Sequence, residues 1–227
     1  MKRAVVLFSG GMDSTVNLIA TLKEAQVLLA ITFDYGQRAV DKEIQVTSQQ
    51  TKKLNIPHRI LKLPFFEDLG TSSLIQKNQT IPTGNQVSID DATISKETAK
   101  SVWVPNRNGI FLNIAAGFAE NLKADWIVPG FNREEAMTFP DNSEGFLQAT
   151  TKALEFSTSN HTQVKCFTTQ LTKTEIVALG NRLQVDWTMM WPCYFSGDQW
   201  CGECESCQRS KRALQANQVN TNQLFKK

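Results

Sequence analysis

Histidine is scarce in this chain of 227 residues: His58 and His161 are the only two, and neither stands beside another type of metal ligand. That scarcity argues against histidine-based catalysis or a histidine metal centre. Long apolar runs are absent too, since nothing approaches the roughly 20 residues of a membrane-spanning helix. The opening MKRAVVLFSGG is basic at first, but its apolar part is short and lacks a small-residue cleavage site. It reads as a first β-strand and not a signal peptide, and a cytoplasmic protein is the expectation. A formal net charge of +2 gives only a faint basic bias, which speaks against a large nucleic-acid footprint. Internal repeats, low-complexity tracts and clear linkers are also lacking.

Strand-like and helix-like patterns alternate along the chain. Strands are expected at 4–8, 27–33, 58–63, 125–130 and 164–168. Helices are expected at 13–25, 40–54, 109–122, 144–156 and 173–183. This alternation implies right-handed βαβ crossovers and a mostly parallel five-stranded α/β sheet with helices on both faces. Two stretches break the rhythm. Residues 64–101, rich in Ser, Thr, Asn and Gln, read as a lid, a subdomain or a mobile segment. Residues 186–212 carry a cysteine cluster and no sheet pattern. The expected organisation is an α/β domain over 1–185 and a small C-terminal lobe over 186–227.

After the first strand the chain reads Phe8-Ser9-Gly10-Gly11-Met12-Asp13-Ser14-Thr15. Glycines let backbone N–H groups approach an anion, and the following helix aims its unpaired amides at the same point. The P-loop lysine is missing, and so is the G-x-G-x-x-G spacing of a dinucleotide loop. Asp13 could cap the helix or help to hold Mg²⁺ against phosphate. The string SGGMDS resembles the S-G-G-x-D-S signature of the PP-loop ATP pyrophosphatase superfamily, which includes NAD, GMP and asparagine synthetases and tRNA-thiolating enzymes. The resemblance implies a Rossmann-like, adenine nucleotide α-hydrolase-like fold. It also implies ATP gripped by residues 8–15 and AMP transferred, which explains the missing lysine.

Of five cysteines, Cys193, Cys201, Cys204 and Cys207 crowd one segment, with two C-x-x-C steps sharing Cys204. Four thiolates so spaced suit a tetrahedral structural Zn²⁺, an iron–sulfur cluster being the alternative. Cys166, on an expected buried strand, suits a small apolar role.

SGGMDS, VPNRN at 104–108 and C-x₇-C-G-x-C-x-x-C together resemble the 7-cyano-7-deazaguanine synthase (QueC) family over essentially the whole chain. That family adenylates 7-carboxy-7-deazaguanine, adds ammonia and dehydrates the amide to a nitrile. The resemblance implies queuosine biosynthesis, a homodimer and no direct nucleic-acid contact. Arg107, a planar donor fork, is then expected at substrate or ATP phosphate, with Asn106 or Asn108 as a helix cap. Phe33 or Tyr35, at the carboxyl edge of strand two, is expected to line the adenine pocket. Lys173, in a stretch resembling K-x-E-[IV], is expected to neutralise phosphate charge and to join Asp13 and Arg107 as a catalytic residue, with Thr172 and Glu175 forming a capping box.

Residues 131–146 are expected to contact substrate through Asn132, Glu134, Phe139 and Asp141, with Glu135 an alternative to Glu134. Other family members read G-x-x-x-x-D-x-S-G-Y-P-D-C-R at this point. Here only Pro140-Asp141 remains, with Phe139 for Tyr and Asn142 for Cys. The competing readings are a PP-loop paralogue acting on another carboxylate or a tRNA base, and a zinc-containing nucleic-acid-binding module. CQRSKRAL, a small basic cluster, favours the latter and the complete SGGMDS opposes it.

Overall fold

The computed structural model describes residues 1–226. Five strands, β1 (Lys2–Leu7), β2 (Ala25–Asp34), β3 (His58–Lys62), β4 (Trp126–Val128) and β5 (Gln163–Val164), form one sheet in the order β3-β2-β1-β4-β5. Every pairing is parallel. β1 is central, which is why its sequence is a continuous apolar run. Val5 faces one core, with Leu112, Ala115, Ala116 and Leu154, while Ala4, Val6 and Phe8 face the other, with Leu18, Ala30 and Val128.

The helices are α1 (Met12–Glu24), α2 (Val40–Lys53), α3 (Ala92–Val102), α4 (Arg107–Asn121), α5 (Arg133–Ala136), α6 (Glu144–Ser157), α7 (Lys173–Arg182) and α8 (Glu205–Ala216). None of them is long and apolar enough to cross a membrane. α7 begins on the expected capping box, Thr172 with Glu175. The strand order reverses between β1 and β4, and a cleft opens where their carboxyl ends diverge.

Four expectations change. β5 covers only 163–164, because the side chain of Asn17 takes over the pairing beyond it. Its Oδ1 accepts from the Phe167 N–H at 2.8 Å, and its Nδ2 donates to Thr168 Oγ1 at 2.6 Å. Cys166 therefore lies past the strand, half-buried, with its sulfur 3.5 Å from Asn17 Oδ1 and the Phe131 carbonyl. β4 stops before Pro129, which has no N–H to give to the ladder. Residues 64–101 carry all of α3 but its last residue and bury Phe66, Leu74, Ile75, Ile81 and Val87. The Arg38 guanidinium ties this segment down by donating to the carbonyls of Ser73, Gln76 and Gln79.

α8 was not expected. Its buried side mixes Cys207, Ala213 and Leu214 with Glu205, Arg209 and Ser210, so few of its residues are apolar. Residues from 185 onward share one apolar cluster with Met12 and Val16 of α1 and with Ile176 and Val177 of α7.

Candidate active site

The glycine loop is shaped by what a side chain would strike. Gly10 has φ +75°, and a Cβ there would lie 2.4 Å from Val46 Cγ2, so glycine alone fits. Gly11, extended, is the N-cap of α1. The first-turn amides have no acceptor within the helix, and Gly11, Met12, Asp13 and Ser14 line the cleft. Ser9 Oγ lies 3.1 Å from Ser14 Oγ, which donates to the Gly11 carbonyl at 3.1 Å. Gly130, after β4, packs against the same helix start: a Cβ on it would lie 2.5 Å from the Ser14 nitrogen.

A cavity of about 240 Å³ opens at this point. Phe8, Ser9, Gly11, Met12, Asp13 and Ser14 form its floor, and Phe33, Arg107, Phe139, Asp141 and Lys173 line its walls. Gly10 and Thr15 do not line it. Gly10 packs on α2, and Thr15 is buried, its hydroxyl without a hydrogen-bond partner among the described residues.

Lys173, 3% exposed, is the charged centre. Its Nζ donates to Asp13 Oδ2 at 2.5 Å and to Glu135 Oε1 at 3.0 Å. Burial alone would pull its pKa down, but the two carboxylates outweigh it and hold the ammonium above its usual range. Asp13 sits inside the first turn of α1 and does not cap it. Its Oδ2 also accepts from Asn132 Nδ2 at 2.9 Å, while its Oδ1 is buried with no hydrogen-bond partner among the described residues. An unpartnered, buried carboxylate oxygen beside a phosphate-type loop is the donor that a Mg²⁺ ion would suit.

Two of the expected substrate residues do not reach the cavity. Asn132 is fully buried, caps α5 and holds Asp13. Glu134 turns away to Arg209 and Arg212. Its neighbour Glu135 lines the cavity instead.

Arg107 reaches the opposite wall, where Nη1 donates to the Tyr35 hydroxyl at 3.3 Å and its charge faces Asp141. Neither nearby asparagine makes a side-chain cap. Asn106, at φ 51°, lays its amide over Gly109, and Asn108 lies inside α4 and donates to the Asp141 carbonyl at 3.4 Å. Burial raises the pKa of Asp141 against the pull of Arg107. Phe33 stacks on Phe111 with centroids 4.1 Å apart, and Trp103 lies parallel to Phe139 at 5.9 Å.

Phe111, Trp103, Trp191, Tyr194 and Glu43 line the cavity and escaped the sequence reading. Trp103 adjoins VPNRN, and its position was the one available signal. Nothing local marks Glu43 on α2, whose carboxyl accepts from Gln37 Nε2 at 2.8 Å and is pushed by burial up to about 7.

The sulfurs of Cys193, Cys201, Cys204 and Cys207 all lie within 4.8 Å of one another, and those of Cys201 and Cys207 are 3.8 Å apart. A tetrahedron with metal–sulfur bonds of about 2.3 Å has edges of about 3.8 Å. Backbone N–H groups of Cys201 and Phe195 approach the Cys193 sulfur, and those of Glu203 and Cys204 approach the Cys201 sulfur. Such donors support metal-bound thiolates. This group can hold a metal ion, and Cys193 also borders the cavity.

A parallel sheet in this order, with an SGGxDS loop after β1 and a cleft at its reversal, defines a PP-loop nucleotide-binding enzyme of the ATP pyrophosphatase class. Residues 3–218 match the family described as queuosine biosynthesis protein QueC, and the chain belongs to that family. It is 56% identical over 226 residues to the 7-cyano-7-deazaguanine synthase of Bdellovibrio bacteriovorus, covering 99% of this chain and 98% of that protein. The synthase of Carboxydothermus hydrogenoformans is 46% identical, covering 96% of this chain and 100% of that protein. That of Methanosarcina mazei is 40% identical, covering 93% of each.

Proposed function

We propose that this chain converts 7-carboxy-7-deazaguanine and ammonia to 7-cyano-7-deazaguanine at the expense of ATP, in queuosine biosynthesis. The observation that carries this reading is the convergence of the Ser9–Ser14 loop, Lys173 and Arg107 on one cavity.

A carboxylate resists ammonia because its leaving group would be oxide. Attack of the carboxylate oxygen on the α-phosphate gives an acyl adenylate and pyrophosphate, and ammonia then displaces AMP to give the amide. Attack of the amide oxygen on a second ATP, followed by loss of AMP and the nitrogen-bound protons, leaves the nitrile. The original carboxyl oxygens depart on the two AMP molecules. No covalent enzyme nucleophile is needed, so the protein positions groups and neutralises charge.

In this reading the loop amides, Ser9 and Ser14 hold the phosphates, and Lys173 offsets charge on the departing pyrophosphate. Gly10 and Thr15 shape the loop from behind. Phe33 and Phe111 form a wall for adenine. Arg107 pairs with the substrate carboxylate, while Trp103 and Phe139 flank the deazaguanine ring and Asp141 accepts from its N–H edge. Asn132 holds Asp13, and Glu134 acts from outside the cavity. Mg²⁺, when bound, would lie at Asp13 and supply positive charge to the phosphates. Zn²⁺ on the four cysteines would be structural, since four thiolates leave no open position.

We further propose the division into a nucleotide domain over 1–185 and a metal lobe over 186–227. A cytoplasmic homodimer without direct nucleic-acid contact, taking ammonia that is free or supplied by a partner, completes the reading. Incubation with ATP, ammonia and 7-carboxy-7-deazaguanine tests it. Mass spectrometry is expected to find the nitrile with AMP and pyrophosphate, and no nitrile above a control without the protein would overturn it.

A further inference from the structure

Arg209 lies on α8 between the cysteine cluster and α5, 6% exposed, with its guanidinium committed to other side chains. Nη1 donates to Glu134 Oε2 at 2.8 Å. Nε and Nη2 donate to Glu205 Oε1 at 3.1 and 2.8 Å, and Nη2 also reaches Ser95 Oγ at 3.2 Å. The other oxygen of Glu134 accepts the backbone N–H of Lys173 at 2.8 Å. One carboxylate therefore joins Arg209 to the first residue of α7. The next residue along α5, Glu135, accepts from Lys173 Nζ.

α5 has only four residues, far too few to stand as a helix unaided. Its N-cap Asn132 is fixed by Asp13, the Arg133 N–H donates to the Leu171 carbonyl at 3.0 Å, and the Glu134 carboxylate is clamped between Lys173, Arg209 and Arg212. Arg212 is a weaker clamp, because it is partly exposed and also pairs with Asp90. Without Arg209, Glu205 would also lose its one ion-pair partner among the described residues.

We infer that Arg209 is a positioning residue for Lys173: by holding Glu134 it sets the place of Glu135 and the start of α7, and with them the ammonium at the loop. The inference rests on the proposed role of Lys173 in neutralising phosphate charge. It also gives the cysteine lobe a task in catalysis. α8 starts from Cys204 as its N-cap and carries Cys207 two residues before Arg209. A metal on the four sulfurs fixes the turn that presents Arg209.

The test compares Arg209→Met, which keeps the apolar stem, with Arg209→Lys, whose ammonium cannot span Glu134 and Glu205 together. Metal per chain, kcat, KM for ATP and the acetylation rate of Lys173 in the free enzyme, read by mass spectrometry, are measured for each. Metal content is expected to be unchanged. In Arg209→Met, KM is expected within about twofold of wild type, kcat down about tenfold and Lys173 acetylation up about tenfold, with Arg209→Lys between. Should Arg209→Met not fold, Arg209→Lys carries the same comparison. Unchanged Lys173 acetylation in the metal-loaded variants overturns the link, whatever kcat does. Lys173→Met separates the two readings. If it keeps wild-type kcat, the role of Lys173 itself fails; if it loses activity while both Arg209 variants keep theirs, only the link fails.

Discussion

Lys173 Nζ lies 2.5 Å from Asp13 Oδ2, a buried ion pair that ties the start of α7 to the glycine loop 160 residues earlier in the chain. The pair is a structural bolt as well as a charge at the site. Lys173→Met would leave Asp13 buried with only Asn132, and breaking a buried pair from one side costs about 3–5 kcal/mol. Asp13→Asn/Lys173→Met removes both charges, so it is expected to be more stable than Lys173→Met alone. Urea unfolding of the single and double variants checks this. A double variant no more stable than Lys173→Met would show that the pair is not what holds the loop.

Gly10 gives a second, purely steric prediction. Alanine at φ +75° is strained, and its methyl would lie 2.4 Å from Val46 Cγ2. Gly10→Ala is expected to cost about 2–4 kcal/mol and to weaken ATP binding, because the loop must move away from α2. Val46→Ala removes the struck methyl and should restore part of both losses when combined with Gly10→Ala. Thermal melts with and without ATP read the two effects separately.

Glu43 sets a pH dependence. Its pKa is raised by burial from about 4.5 to about 7, so the folded protein holds this proton more tightly than the unfolded chain. Its contribution is fully present below about pH 4.5 and is lost as pH rises through about 7. Glu43→Gln stays neutral throughout and can keep an amide–amide bond with Gln37. Relative to wild type, the variant should gain stability between about pH 5 and pH 8, by roughly 7–14 °C in Tm. A gain that shrinks with rising pH would contradict burial as the cause of the shift.

How far the sequence reveals these features depends on how local their causes are. β1 and SGGMDS are legible because an apolar run and adjacent glycines act within a few residues. The four cysteines are legible because metal geometry demands their spacing. α8 is not, because its buried face carries Glu205, Arg209 and Ser210 beside Cys207, Ala213 and Leu214, so few apolar residues mark it in the sequence. The true place of Glu134 is set by Arg209, 75 residues away, so no local pattern could show that its carboxylate leaves the cavity. β5 ends early for the same kind of reason, as its ladder is replaced by the side chain of Asn17 150 residues earlier. Phe139 and Asp141 do line the cavity, although the motif around them departs from the family pattern.

The four-cysteine cluster yields the last prediction, through Trp191. Its backbone N–H donates to the Gly10 carbonyl at 2.8 Å, and Trp191 packs in the same apolar cluster as Cys193, Cys204 and Cys207. With a metal on the four sulfurs as proposed, stripping it would leave four thiols with no common centre, so this cluster would loosen and the bond to Gly10 would be strained. Chelation is therefore expected to weaken ATP binding about tenfold, the worth of one buried hydrogen bond, even though no cysteine need touch the nucleotide. Thiol titration should rise from a single slowly reacting group, the half-buried Cys166, to all five cysteines. Re-addition of Zn²⁺ should reverse both changes, and Cys204→Ala should reproduce them without chelator. ATP affinity that is unchanged while all five thiols react would show that the lobe and the loop are mechanically independent.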